Sequence, residues 1–218
     1  MTINFNIGDE VDGWIVPHVK DSSVAYAKNG ARLEDLDRAM GYVTNWSCAV
    51  DGGAHVGIWA AAMAEKFAVV HAFEPAFPTF LCLTGNLQRK KLDKIVAAYD
   101  VGLGEKAGFK SIVYSLKQSM HAYMKNGGDQ KMNAVMPLDC LDIDPGLIKL
   151  DIEGMEVLAL RGARETLNRS KPVVIIEYKP FNLMRNNTTF DEGHRILTEA
   201  GLKLVFGSES GPDLVYAP

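Results

Sequence analysis

Short apolar runs alternate with stretches of helical periodicity between residues 48 and 178, and most of the runs close on an acid. Cys48-Ala49-Val50 leads to Asp51, Val69 to Phe73 leads to Glu74-Pro75, Ile95 to Tyr99 leads to Asp100, Leu147 to Leu150 leads to Asp151, and Val173 to Ile176 leads to Glu177. Runs this short and continuous read as strands, the last of them buried on both faces. Three helices are predicted between them. One follows the first run at Ile58 to Ala64, and a second starts near Pro78 with Phe80, Leu83 and Leu87 on one stripe. A third, Gly154 to Leu167, places Met155, Leu158, Ala159, Gly162 and Ala163 on one face. This β-α-β order predicts a parallel sheet with right-handed crossovers.

The flanks read differently. Upstream, Trp14-Ile15-Val16 predicts a short strand ended by Pro17, and Leu33, Leu36, Met40 and Val43 predict a helix with Asn29 as its N-cap. Downstream, Thr189 and Glu192 have capping-box spacing for a helix that stops at Gly201. Leu202 to Phe206 and Leu214 to Tyr216 then flank the turn 207–212 as an antiparallel hairpin. The pattern weakens between 108 and 135. Phe109 to Tyr114 reads as a strand or half a hairpin. Ser115 to Asn133, with Lys117, Lys125, Lys131 and Gly127-Gly128, reads as a mobile loop, either a solvated connector or a lid. No internal repeat or linker interrupts the chain. The expected division is an N-terminal extension, 1–46, whose helix packs on the core, and one structural unit, 47–218.

Composition narrows the class of protein. The 218 residues are 47% hydrophobic and 23% charged, which suits a folded globular chain and gives no sign of disorder. A net charge of -4 and a pI of about 5.7 supply no general attraction to nucleic acid or anionic lipid. Together with the absence of a long apolar run or a basic leader, this predicts a cytoplasmic protein with a small-molecule partner, no nucleic acid and no membrane span. Cys48, Cys82 and Cys140 are too few and too widely spaced for a disulfide framework or a zinc cluster. Oligomeric state is not legible.

The chemistry concentrates in Val50-Asp51-Gly52-Gly53-Ala54-His55-Val56-Gly57. A strand that ends in an acid and glycines and passes directly into a helix brings bare amides and a helix dipole to a ligand. The dehydrogenase fingerprint G-x-G-x-x-G fails at Ala54, which counts against a nucleotide-dependent oxidoreductase. Asp51, Gly53 and Gly57 instead give D-x-G-x-x-x-G, the looser pattern of S-adenosylmethionine (SAM) enzymes. Glu74 follows Asp51 by 23 residues, close to the ~20-residue offset at which the next strand delivers an acid to ribose hydroxyls. Proline after Glu74 holds that acid extended at the sheet edge.

These segments resemble, in order and spacing, the FkbM-type SAM-dependent methyltransferases. They are Val50 to Gly57, Ala72-Phe73-Glu74-Pro75, Ile148-Lys149-Leu150-Asp151-Ile152-Glu153-Gly154-Met155-Glu156 and Ile175-Ile176-Glu177-Tyr178. The most specific of them is the Ile148 to Glu156 block. The resemblance implies an α/β class I methyltransferase three-layer sandwich, with a mainly parallel seven-stranded sheet and an antiparallel C-terminal strand. It also implies SAM as cofactor and methyl transfer to a hydroxyl of a small molecule, sugar or lipid. His55 departs from the Asn usual in the family, but both residues tolerate a left-handed backbone.

Read this way, Asp51, Gly52, Gly53, Ala54, His55, Gly57, Glu74 and Asp100 are the candidate cofactor-binding residues. Asp151 and Glu153 follow the fourth parallel strand and are the candidate catalytic residues, as base or as holder of the acceptor hydroxyl. His121 is a second candidate base if its loop closes, and a direct role beside the substrate is the alternative for His55. Glu156 reads as a helix-start anchor, and Lys149 as a partner for an acid. Asp139, Asp142, Asp144, Asp151 and Glu153 form an acid-rich stretch that could hold a hard cation, although solvated carboxylates explain it as well, so no metal is assigned. A catalytically silent SAM-binding module carrying the same residues remains the alternative function.

Overall fold

In the computed structural model, which describes residues 8–21, 24, 25, 27, 33–115, 118–125, 132–207 and 213–218, β1 (Asp9–Val11) pairs antiparallel with β2 (Trp14–Val16). Helix α1 (Leu33–Met40) buries Leu36 and Ala39. Asn29, Lys117, Gly127-Gly128, Lys131 and most of the turn 207–212 lie outside the described residues. The central unit then runs β3 (Cys48–Gly52), α2 (Ile58–Met63), β4 (Val69–Phe73), α3 (Phe77–Arg89) and β5 (Val96–Tyr99). Pro78 falls in the first turn of α3, where its missing N–H costs nothing.

Four strands follow: β6 (Gly102–Leu103), β7 (Gly108–Val113), β8 (Tyr123–Lys125) and β9 (Met132–Met136). They form a separate sheet in the order β6-β9-β7-β8. Much of the expected loop 115–133 is therefore structured. A 3₁₀ turn at Ser119–His121 leads into β8, which pairs antiparallel with β7. The hydrogen bonds that make β8 a strand come from β7, and Met124 is buried through contacts far away in sequence, so no local periodicity announces it.

The chain returns to the main sheet with β10 (Leu147–Leu150), α4 (Glu156–Arg161), α5 (Arg164–Ser170), β11 (Val173–Ile176), α6 (Pro180–Met184), α7 (Phe190–Glu199), β12 (Lys203–Phe206) and β13 (Leu214–Ala217). The seven-stranded order is β12-β13-β11-β10-β3-β4-β5, with β13 antiparallel to both of its neighbours. Alternate residues of the central strands build two cores. Val50, Ile148, Val174 and Ile176 pack with Val157, Leu160, Leu167 and Leu197 of α4, α5 and α7. Ala49, Val70, Leu147 and Val173 pack with Leu36, Ala60, Met63 and Leu83 of α1, α2 and α3. The result is the three-layer α/β sandwich of class I methyltransferases.

The single helix expected over Gly154 to Leu167 is two. Gly162 lies against the chain at Gly104, where an added Cβ would stand 2.1 Å from the Gly104 carbonyl oxygen. The Gly162 carbonyl is also drawn out of the helix, accepting from the Asp139 amide at 3.0 Å. Asp139 then caps the new helix start, its carboxylate accepting from the amides of Glu165 and Thr166 and from the Thr166 hydroxyl. Thr189 caps α7 as expected, accepting from the Glu192 amide at 3.3 Å.

One buried ion pair crosses the sheet. Lys149 and Asp51 are register partners on β10 and β3. Lys149 Nζ lies 3.1 Å from Asp51 Oδ1, and Asp51 is fully buried. The ammonium also donates to the carbonyls of Gly52 and Gly53 at 3.3 and 2.9 Å, so it ties the glycine turn to the strand beside it.

Two stability measurements follow. Gly162→Ala is expected to lower unfolding free energy by about 1–3 kcal/mol, the usual cost of overpacking, read as a lower urea midpoint. Lys149→Met, which strands a buried carboxylate, is expected to cost about 3–5 kcal/mol, whereas Asp51→Leu with Lys149→Met recovers most of that loss.

Candidate active site

A cavity opens at the carboxyl ends of β3, β4 and β10, with the small sheet as its opposite wall. The space between these walls, open mouth included, is roughly 940 Å³. The floor is the turn after β3. Gly53 has φ +75°, and its amide and that of Ala54 both donate to the Phe73 carbonyl, at 3.0 and 2.9 Å. A Cβ on Gly53 would stand 1.9 Å from the Asp151 carbonyl oxygen, so only glycine allows β3 and β10 to close here. His55 adopts φ +52°, the left-handed conformation that suits this turn, and Gly57 at φ +95° caps α2.

Glu74 stands on the wall, 7% exposed. Its Oε1 accepts from the Ala76 amide at 2.8 Å and its Oε2 from the His55 amide at 3.0 Å. Burial raises its carboxyl to about 7, against the pull of those two amides. The turn and the acid after β4 are thus locked together by one hydrogen bond between residues 55 and 74.

Asp151 and Glu153 face the same cavity. Glu153, at φ +53°, is 3.1 Å from Lys179 Nζ and accepts from Asn182 Nδ2 at 2.5 Å. Beside them Glu177 lies 2.6 Å from Lys179 Nζ and hydrogen-bonds Asp151. Burial and the neighbouring Asp151 push the Glu177 carboxyl up to about 8. Asp151 is held below the ordinary carboxylate range. Burial works against this, but Lys149, Glu177 and Lys179 outweigh it. The pair therefore keeps its proton on Glu177 and its negative charge on Asp151.

Not every expected site residue reaches the cavity. Gly53, Ala54, His55, Glu74, Asp151 and Glu153 line it. Asp51 and Gly52 are buried beneath its floor and Gly57 starts the helix behind it. Asp100 is exposed after β5 and is not part of the lining. His121 sits at the exposed rim, its Nδ1 3.8 Å from Glu153 Oε1. Glu156 turns back on its own helix start, accepting from the amides of Ile152 and Gly154. The acid-rich stretch is split by β10: Asp139, Asp142 and Asp144 precede the strand and engage α5 or Arg169, while Asp151 and Glu153 follow it. The three carboxylates that do converge are Asp151, Glu153 and Glu177.

Several wall residues carry no sequence signal. Ser119, Met120, Ala122 and Met124 belong to the segment that reads as a loop, and Trp59 and Ile112 fall in a predicted helix and a predicted strand with nothing to mark them as lining. Asp21, beneath Ser119, lies in a stretch with no legible pattern.

The methyltransferase FkbM domain family model matches residues 51–204. No curated protein matches the chain in sequence. Among solved structures, methyltransferase FkbM from Methylobacillus flagellatus KT superposes with a TM-score of 0.55 at 23% identity. The match covers 78% of this chain and 43% of that one, so the chain spans less than half of that relative's length. A precorrin-6y C5,15-methyltransferase from Geobacter metallireducens GS-15 gives 0.51 at 12% identity, over 97% of both chains. A SAM-dependent O-methyltransferase from Thermotoga maritima gives 0.50 at 13%, over 89% of this chain and 69% of its own. At these identities the likeness is one of fold. The order of strands, the acid-ended turn and the family match over most of the sheet agree: the chain belongs to the FkbM-domain family of SAM-dependent methyltransferases.

Proposed function

We propose that this chain transfers the methyl group of SAM to a hydroxyl oxygen of a small or medium-sized acceptor such as a sugar, a lipid head or a secondary metabolite. The observation that carries the reading is the cavity wall itself, where Glu74 and Asp151 present carboxylates on either side of the Gly53 turn.

The residues present fit the cofactor. Each Glu74 oxygen takes one backbone amide and so retains a lone pair for a ribose hydroxyl. The turn around Gly53 brings backbone within reach of the methionine end, and Lys149 and Asp151 stand there with charges opposite to its carboxylate and ammonium. Asp100, exposed after β5, lies outside this lining. When bound, the cofactor supplies an electrophilic methyl group on a positively charged sulfur.

The acceptor class follows from what surrounds Asp151. A carboxylate that stays ionised is acceptor-only and suits a hydroxyl donor. Glu153, anchored by Lys179 and Asn182, fixes the turn that carries Asp151 and completes that side of the acceptor space. The wall opposite is apolar, with Ile112, Met124 and Met155, which excludes water from the displacement. The strand runs into Asp151-Ile152-Glu153-Gly154 in place of the Asn/Asp-Pro-Pro-aromatic block that amino-methylation of bases commonly uses.

Isothermal titration tests the cofactor half. Glu74→Gln is expected to weaken SAM by about 1.5–3 kcal/mol, the worth of hydrogen bonds to a charged group, or roughly ten- to a hundredfold in Kd. Hydroxyl donors lower the Glu74 pKa from its free-site value of about 7, so binding displaces a proton. Wild-type affinity is therefore expected to fall as pH drops from 8 to 6, and Glu74→Gln to flatten that slope. Unchanged affinity and slope in the variant would remove Glu74 from the site. Isotope-labelled methyl transfer across a panel of hydroxylated acceptors tests the other half. Label recovered on nitrogen or carbon overturns the hydroxyl assignment, and binding without turnover supports the silent binding module.

A further inference from the structure

A chain of hydrogen bonds runs from the cavity wall at His55 and Ser119 to the buried Asp21. His55 Nε2 lies 2.6 Å from Ser119 Oγ, and Ser119 Oγ donates to Asp21 Oδ1 at 2.7 Å. The Ser119 amide donates to the other oxygen, Asp21 Oδ2, at 2.8 Å. Ser119 and Asp21 are 3% and 4% exposed, whereas the imidazole faces the cavity. Three remote segments meet in this relay: the stretch after the β1-β2 ribbon, the turn after β3, and the 3₁₀ turn of the small sheet.

The direction of each bond fixes the histidine tautomer. A carboxylate accepts and does not donate, so the one hydroxyl proton of Ser119 is committed to Asp21. Toward the ring the Ser119 oxygen can then only accept, and Nε2 carries the hydrogen. Nδ1 is left with its lone pair, and among the described residues it has no hydrogen-bond partner. Burial pushes the imidazole down to about 4, so the ring is neutral near pH 7. The charged groups that act on it are Asp21 and Asp151, which favour an imidazolium, and Lys149, which opposes one.

The two candidate carboxylate bases are already engaged, and His121 stands at the exposed rim. Asp151 accepts from Glu177 beside Lys149, and Glu153 is held by Lys179 and Asn182. We propose that His55, through Nδ1, is the base that takes the proton of the acceptor hydroxyl, and that Ser119 and Asp21 are positioning residues that hold its tautomer. The proposal rests on the methyl-transfer reading above. In the step, the acceptor oxygen bonds to the methyl carbon as the carbon–sulfur bond breaks and its electron pair goes to sulfur. The hydroxyl proton passes to Nδ1, and the imidazolium so formed, favoured by the charges of Asp21 and Asp151, returns the proton to water.

Two measurements decide it. Long-range proton–nitrogen correlation of the imidazoles at pH 7, with His55 identified by the signal lost in His55→Asn, is expected to show a protonated Nε2 and a bare Nδ1. Ser119→Ala and Asp21→Asn are expected to release a mixture of tautomers. A doubly protonated ring, an Nδ1–H tautomer, or a pattern untouched by Ser119→Ala overturns the relay without reference to turnover. On an acceptor that the wild type methylates, His55→Asn keeps a side chain that tolerates the left-handed backbone. Its backbone amide can still reach Glu74, and at saturating SAM the variant is expected to lose about 10²- to 10⁴-fold in kcat, the span of general-base catalysis. Its residual rate should climb with pH, because the acceptor must then ionise unaided. Full kcat in that variant overturns the assignment of the base. A wild type that binds SAM yet methylates no acceptor defeats the methyl-transfer reading and this step with it, while the imidazole spectra still report on the relay.

Discussion

The fold and the cavity both depend on one buried charge pair. Asp51 is fully enclosed at the centre of the sheet, and a carboxylate there is tolerable only because Lys149 reaches it from the next strand. The same ammonium donates to the Gly52 and Gly53 carbonyls, so the pair fixes the course of the chain where β3 ends. It also sets the electrostatics of the cavity. Lys149 stands against Asp151 as well as Asp51, which keeps Asp151 ionised although it is surrounded by other acids. Replacing the pair with apolar residues would preserve a sheet and lose the cation at the cavity floor.

Of the seven described non-glycine residues with positive φ, His55 and Glu153 lie at that same edge. Gly53, His55, Gly57, Glu153 and Gly154 all have positive φ, and four of them belong to the two turns that follow β3 and β10 while Gly57 opens α2. For His55 and Glu153 this conformation costs energy that the surroundings must repay. The His55 amide is held by Glu74, and the Glu153 carboxylate by Lys179 and Asn182. Strained turns held this tightly present their side chains in fixed directions, which a site that depends on alignment requires.

Burial raises every acid around the cavity, and the neighbouring charges decide which of them stays raised. Glu74 and Glu177 are pushed up toward neutrality because desolvation outweighs the hydrogen bonds they accept. Asp151 is pulled down because two lysines and a protonated neighbour outweigh the same desolvation. Of these three carboxyls, Asp151 stays charged while Glu74 and Glu177 exchange protons near neutral pH. Such separation of titration is what assigns different roles to chemically similar residues.

Much of this protein is written in its sequence. Apolar runs closing on acids determined the parallel strands, the helical stripes determined the layers above and below them, and Asp51, Gly53, Gly57 and Glu74 marked the candidate cofactor turn by type and spacing. Those signals are local, because strand burial and turn chemistry are properties of a few consecutive residues. The tertiary structure decided the rest. It split the helix at Gly162, where a carbonyl from the Gly104 turn leaves no room for a side chain. It made a strand and a cavity wall out of 119–125 through hydrogen bonds to β7. It placed Asp51 under the floor and Asp100 outside the lining, although both end strands as the other acids do. It brought Asp21 and Ser119, 98 residues apart in the chain, together beside His55. In each case the partner is distant in the chain, and a side chain's role is set by what it meets at that distance.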